Sequence, residues 1–184
     1  MDPAISIKGL TKQFGPRTVV DKVTFSANIG EVLGFLDPNG AGKSTLLHIM
    51  VGLLKPTTGT VEAFGQKRLG EKNFHDVRRR AGLVFQDPDD QLFCPTVQED
   101  IAFGPLNIGK SKSETAAIVE QVLEHFGLMH LKERITHKLS GGEKRLVTLA
   151  AVMAMEPEVL LLDEPFAGMN HDETMHMVDL VRRL

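Results

Sequence analysis

The chain has 184 residues, 42% apolar and 24% charged, the make-up of an ordinary globular protein rather than a disordered or fibrous one. Its formal net charge of −3 leaves no basic excess with which to neutralise nucleic-acid phosphates. No apolar run approaches the roughly 18 residues of a membrane-spanning helix, and the single cysteine, Cys94, excludes an internal disulfide.

The length suits one domain with a sizeable core, or a slightly shortened larger one. The opening MDPAISIKGL lacks the basic-then-apolar layout of a signal peptide, so a cytosolic chain that meets membranes only through a partner is expected. Cys94 reads as a small apolar filler and the run Arg78–Arg80 as a solvated face.

In chain order, ISIKGL and VVDKVTFSANI alternate at period two and predict strands, and EVLGFL predicts a buried one. From Lys43 the pattern becomes helical, with Leu46, Leu47, Ile49, Met50 and Leu53 on one stripe, before LKPTTG breaks it. GTVEAFG predicts a short strand. AGLVF (81–85) and VLLLD (159–163) lack polar alternation, as parallel strands buried on both faces do.

Between those two strands the chain is mostly helix. Ser111 and Glu114 predict a capping box ahead of the stripe Ile118, Val119, Val122, Leu123 and Phe126, with Gly127 placed to end it. A further helix runs through EKRLVTLAAVMAM and stops before Pro157. The order implies an α/β core with two additions.

FLDPNGAGKSTLL (35–47) poses the functional question. A phosphate-binding loop is glycine, four residues, then Gly-Lys-Ser/Thr. Gly42, Lys43 and Ser44 fill the last three places, but Asp37 stands at the first. Asn39, Gly40, Ala41, Gly42, Lys43, Ser44 and Thr45 offer successive backbone N–H groups and a helix N-terminus to phosphate oxygens. Lys43 supplies charge for the β- and γ-phosphates, and the Ser44 hydroxyl a magnesium ligand.

VLLLDE then reads as the answering strand, carrying Asp163 towards magnesium and Glu164 towards an attacking water. LSGGEKR (139–145) supplies Ser140, Gly141 and Gly142 at a second helix N-terminus, a second anion site. Two cradles suit a dimer in which each chain's second cradle closes over its partner's ATP.

On these motifs the chain resembles the nucleotide-binding subunit of an ATP-binding-cassette (ABC) transporter over essentially all 184 residues. The resemblance implies a P-loop NTPase core with a parallel sheet, an N-terminal antiparallel β subdomain and an inserted α-helical subdomain at about 90–155. All of these would lie within one nucleotide-binding domain spanning 1–184. It implies that Phe14 stacks on adenine and that Gln86 is the Q-loop glutamine, touching magnesium and sensing the membrane partner. Leu139–Glu143 matches the signature motif and Val159–Glu164 the Walker B strand.

The stretch VFQDPDDQLFCPTVQEDIAFGPLN (84–107) is similar to the ATPase subunits of cobalt/nickel and energy-coupling-factor importers. Its apolar Leu92, Phe93, Val97 and Phe103 would suit a groove that receives a helix from a transmembrane coupling subunit.

Three departures bear on turnover. Asp37 brings a carboxylate towards the phosphates; at around 7 Å and an effective dielectric near 20, a like-charge pair costs about 2 kcal/mol. Asn170 stands where the family's D-loop ends in aspartate, with Phe166 replacing a small polar residue. The family's switch histidine would follow a further strand past Leu184, which implies a truncated copy or a fragment, and His171 and His176 fall too early to replace it.

The leading expectation is an ATP-hydrolysing importer subunit, peripheral at the cytoplasmic face of the membrane, with ATP and Mg2+ as cofactors. Glu164, Lys43 and Gln86 would be its catalytic residues, and Ser44, Gln86 and Asp163 its metal ligands. A second ATPase subunit would complete a homo- or heterodimer, and no nucleic acid is involved. The cargo would be cobalt, nickel or a vitamin. The alternative is a regulatory or decayed module that binds nucleotide without efficient hydrolysis. A chromosome-maintenance ATPase is excluded, because the segment 44–139 is too short for a long coiled coil and carries no heptads.

Overall fold

The computed structural model describes residues 3–29, 31, 42–164 and 166–182. Its internal contacts divide the chain into two units, Met1–Leu83 with Glu158–Asp163, and Val84–Pro157 with Glu164–Leu184.

In the first unit the period-two segments become β1 (Ile5–Phe14) and β2 (Arg17–Ala27), paired antiparallel across a turn that sets Phe14 opposite Arg17. β3 (Thr58–Ala63) pairs antiparallel with β1, and β4 (Gln66–Arg68) with β3, giving the order β2-β1-β3-β4. Ile5, Ile7, Leu10, Val61 and Ala63 form the buried face of this sheet. The predicted strand EVLGFL lies outside the described residues except for Glu31.

The helical pattern after Gly42 becomes α1 (Lys43–Met50), with Leu46, Leu47, Ile49 and Met50 buried. Leu53 is not on that stripe. The helix ends three residues earlier, where the Gly52 N–H bonds the Ile49 carbonyl and the Leu53 N–H the His48 carbonyl, and Leu53 is 48% exposed. That pair of bonds is a Schellman closure, made possible by the left-handed Gly52 at φ 75°.

α2 (Glu71–Arg80) turns Phe74 and Val77 inward and leads into β5 (Ala81–Val84), which pairs with β6 (Val159–Leu162). The basic run at the end of α2 is not simply solvated. Arg78 bonds Glu71 at 2.5 Å, and Arg80 holds both Glu158 oxygens at 2.6 and 2.9 Å. The Glu158 N–H returns a bond to the Arg80 carbonyl at 2.7 Å, so β6 is led in beside the start of β5.

The second unit holds α3 (Val97–Asn107), α4 (Lys112–His125), α5 (Gly141–Met153) and α6 (His171–Arg182). α3, α4 and α5 each begin with a reciprocal capping box: Thr96 with Glu99, Ser111 with Glu114, Ser140 with Glu143. α4 buries Val119 and Leu123, followed by Phe126, and Gly127 at φ 68° ends it as expected.

Asp100 on α3 is 5% exposed. Its carboxylate accepts the Phe93 and Cys94 N–H groups at 3.0 and 2.9 Å and the Thr136 hydroxyl at 2.9 Å. Burial, with Asp100 alongside, pushes the Cys94 thiol up to about 11, which keeps it protonated and inert at neutral pH. Asp100→Ala should orphan all three donors and cost roughly 3 kcal/mol, read as a lower urea midpoint at unchanged slope. An unmoved midpoint would mean that water replaces the carboxylate without loss.

Candidate functional site

Of the expected phosphate loop, Asp37, Asn39, Gly40 and Ala41 lie outside the described residues. The loop's last glycine lies within them. Gly42 sits at φ 91°, and a Cβ there would lie 2.5 Å from the Val19 carbonyl oxygen on β2. Backbone cannot give way cheaply at that distance, so only glycine fits the turn into α1. Lys43, Ser44 and Thr45 form the first turn of α1, all half-buried. Gly42 has no side chain to cap their N–H groups, which suits this helix end to an anion.

Phe14 ends β1 with its ring 48% exposed. The Lys12 ammonium lies 4.8 Å from the ring centroid while donating to the Lys55 carbonyl at 2.8 Å. Such an exposed ring, steadied by a cation, can stack against a flat heterocycle. Asp163, at the end of β6, is 3% exposed.

The second unit brings together two residues far apart in sequence. The Gln86 side-chain amide donates to the Glu164 carboxylate at 3.0 Å. Glu164 adopts φ 46°, a left-handed conformation that is strained for a non-glycine residue. Its carbonyl accepts the Ala167 N–H at 3.1 Å and the Arg145 guanidinium at 3.3 Å, and Arg145 also donates to the Gln86 carbonyl at 2.9 Å. From the adjacent position on α5, the Lys144 ammonium bonds Asp89 at 2.5 Å.

Sequence reasoning missed Lys144 and Arg145 although both end the quoted segment LSGGEKR. Their partners are backbone carbonyls and a distant aspartate, which no local pattern specifies.

Ser140 caps α5, accepting the Glu143 N–H at 3.2 Å, and its own N–H donates to the Glu143 carboxylate at 2.7 Å. That N–H is the largest cause holding the Glu143 carboxyl below its ordinary range. A depressed carboxyl stabilises the fold above its unfolded pKa, and that contribution is lost as pH falls through the folded value. Acid titration of the helical circular-dichroism signal should therefore show an α5-dependent loss below about pH 4.5. Glu143→Gln should remove that dependence; identical acid curves for the two chains would contradict it.

Gly141 is exposed and Gly142 buried, and the Glu173 carboxylate fills the space beside Gly142 where a side chain would stand. Asn170 is explained by the same residue. It caps α6 reciprocally, its Oδ1 accepting the Glu173 N–H and its N–H donating to the Glu173 carboxylate, both at 2.9 Å. Phe166 is 41% exposed. His171 and His176 are exposed on α6.

The apolar stretch divides. Leu92 and Val97 are 8% and 0% exposed and belong to the core, correcting the expectation that they line an open groove. Phe93 and Phe103 remain 65% and 46% exposed and meet edge-to-face at 4.7 Å.

Among the described residues there is no cluster of three His, Cys, Asp or Glu able to hold a metal by itself. Hydroxyl, carboxamide and carboxylate oxygens, as on Ser44, Gln86 and Asp163, fit magnesium, which is ordinarily shared with phosphates and water.

Residues 20–167 match the family described as ABC transporter. The chain belongs to the ABC transporter family. The Rhodobacter capsulatus cobalt import ATP-binding protein CbiO is 47% identical to it over 189 residues, covering 100% of this chain and 66% of the relative. The Methanoculleus marisnigri energy-coupling factor transporter ATP-binding protein EcfA is 46% identical over 165 residues, covering 90% and 59%. Against these two curated ABC relatives the chain thus spans 66% and 59% of their length. Among solved ABC structures, cbiO1 from Clostridium perfringens, described as part of the cbiONQ transporter complex, superposes with a TM-score of 0.87 at 34% identity. The match covers 100% of this chain and 74% of that one. The expected α/β fold, with antiparallel and parallel sheets and helices, is the fold of these ABC ATPases.

Proposed function

We propose that the chain is the ATP-binding and ATP-hydrolysing subunit of a membrane importer for cobalt or nickel ions, or for a vitamin. Gly42 carries the reading: held against the Val19 carbonyl, it turns the chain into α1 and puts Lys43 and Ser44 in the helix's first turn. Likeness to CbiO and EcfA supports the cargo class.

Phe14 stacks on adenine, and the Gly42–Thr45 turn receives the phosphates, with Lys43 on the β- and γ-groups. Ser44, Gln86 and Asp163 would hold magnesium, which supplies charge neutralisation at the phosphate oxygens. Glu164 takes a proton from the attacking water. The new bond forms between that water's oxygen and the γ-phosphorus, the bridge to the β-phosphate breaks, and ADP and inorganic phosphate leave. Ser140, Gly141 and Gly142 serve the ATP of a second ATPase subunit in a homo- or heterodimer. Phe93 and Phe103 face a transmembrane subunit. The association with the membrane is peripheral, through that subunit; no described helix is long and apolar enough to cross a membrane.

Phosphate release with ATP and magnesium, beside titration with a fluorescent ATP analogue, tests the reading. Lys43→Ala should weaken analogue binding at least tenfold, since it removes a phosphate-facing cation. Unchanged binding would show that this loop is not the site, and binding without phosphate release would favour a regulatory module. For the cargo, cells with the cognate membrane subunits should take up radioactive cobalt faster with the unchanged chain than with Lys43→Ala. Vitamin uptake alone would narrow the cargo to the vitamin, and uptake of none of these would remove the cargo reading.

A further inference from the structure

We infer that Arg145 is a positioning residue for hydrolysis, a guanidinium clamp that fixes the main chain of both Gln86 and Glu164 to the first turns of α5. The inference deepens the proposed ATPase reading and rests on it for its kinetic consequence.

Three observations converge. Arg145 donates from Nη2 to the Gln86 carbonyl at 2.9 Å and from Nη1 to the Glu164 carbonyl at 3.3 Å, reaching 59 and 19 residues along the chain. A planar fork holds two carbonyls from separate nitrogens in fixed geometry, whereas the three donors of an ammonium radiate from one nitrogen on a flexible stem. Glu164 sits at φ 46°, a conformation that persists only where surroundings over-determine it. The Ala167 N–H and the Arg145 guanidinium both hold its carbonyl. Finally, the side chains of the clamped residues meet, Gln86 to Glu164, at 3.0 Å.

The clamp therefore sets how the base and the glutamine face one another. Lys144, bonded to Asp89 at 2.5 Å, pins the same loop from the adjacent position on α5. A shift of the 86–89 loop is transmitted through Arg145 to the Glu164 backbone without passing through nucleotide. Arg145 touches neither substrate nor metal in this scheme; it acts through the two residues it holds.

Arg145→Lys in the 184-residue chain is the test, with Arg145→Ala beside it. The expected result is a turnover loss of at least tenfold in the lysine variant at unchanged affinity for the fluorescent ATP analogue. The Ala167 amide should also exchange faster with deuterium, because its acceptor carbonyl is no longer held. The lysine variant should behave like the alanine variant, since retained charge does not restore the fork. Wild-type turnover in Arg145→Lys would overturn the inference. So would loss of analogue binding in proportion to turnover, which would mark general damage. If the unchanged chain itself releases no phosphate, the ATPase reading falls, and Ala167 exchange alone decides: faster exchange in Arg145→Lys upholds the clamp, and equal exchange removes it.

Discussion

Glu164→Gln should stop ATP turnover while leaving nucleotide binding intact. The amide has nearly the shape of the carboxylate and can still meet Gln86, so the local fold is preserved. It cannot accept the water's proton at neutral pH, and general-base catalysis of this kind contributes roughly a hundredfold to ten-thousandfold in rate. The structural premise is that the Glu164 side chain accepts a hydrogen bond from Gln86 at 3.0 Å, in a conformation shared by no helix or strand. Steady-state phosphate release and equilibrium titration with an ATP analogue separate the two effects. Turnover within threefold of the unchanged chain would take the base away from Glu164.

Gly42→Ala should be as damaging to binding as Glu164→Gln is to turnover. A single methyl is added, but at φ 91° it meets the Val19 carbonyl oxygen at 2.5 Å, and neither backbone can yield without moving β2 or the entry to α1. Displacing a phosphate-binding turn by about 1 Å can cost on the order of a hundredfold in function. ATP-analogue affinity should fall by that order, with the urea midpoint showing whether the sheet has loosened too. If affinity survives, the helix entrance tolerates a shift that its tight contact argues against.

Which features could be read from the sequence follows from how local they are. The box of α4 lies within four residues and was legible as serine followed by glutamate, and so was Gly127 as a stop; the same spacing at Ser140 and Glu143 was read only as an anion site. The start of α1 was legible because glycine, lysine and serine each have a reason to stand there. Leu53 was misread because a Schellman closure at Gly52 interrupts a stripe that periodicity alone would continue. Leu92 and Val97 were misread because exposure depends on neighbours outside the segment. Arg145 was invisible for the strongest reason: its partners are main-chain carbonyls, which carry no side-chain identity to match. Asn170, a departure when compared with the family's aspartate, has a plain local reason as the cap of α6.

The interleaving of the two units has a consequence for synthesis. Residues 84–157 leave the ribosome as an unbroken stretch, and three of its helices have starts encoded within four residues. The pairing of β5 with β6, by contrast, must wait for residues 159–162, which emerge only after that whole stretch. Loop-closure entropy further delays so distant a pairing. The helical stretch should therefore acquire protease resistance in nascent chains ending near Pro157, while β5 still presents an unpaired edge. During that interval the exposed strand, not the helices, is where a chaperone is needed.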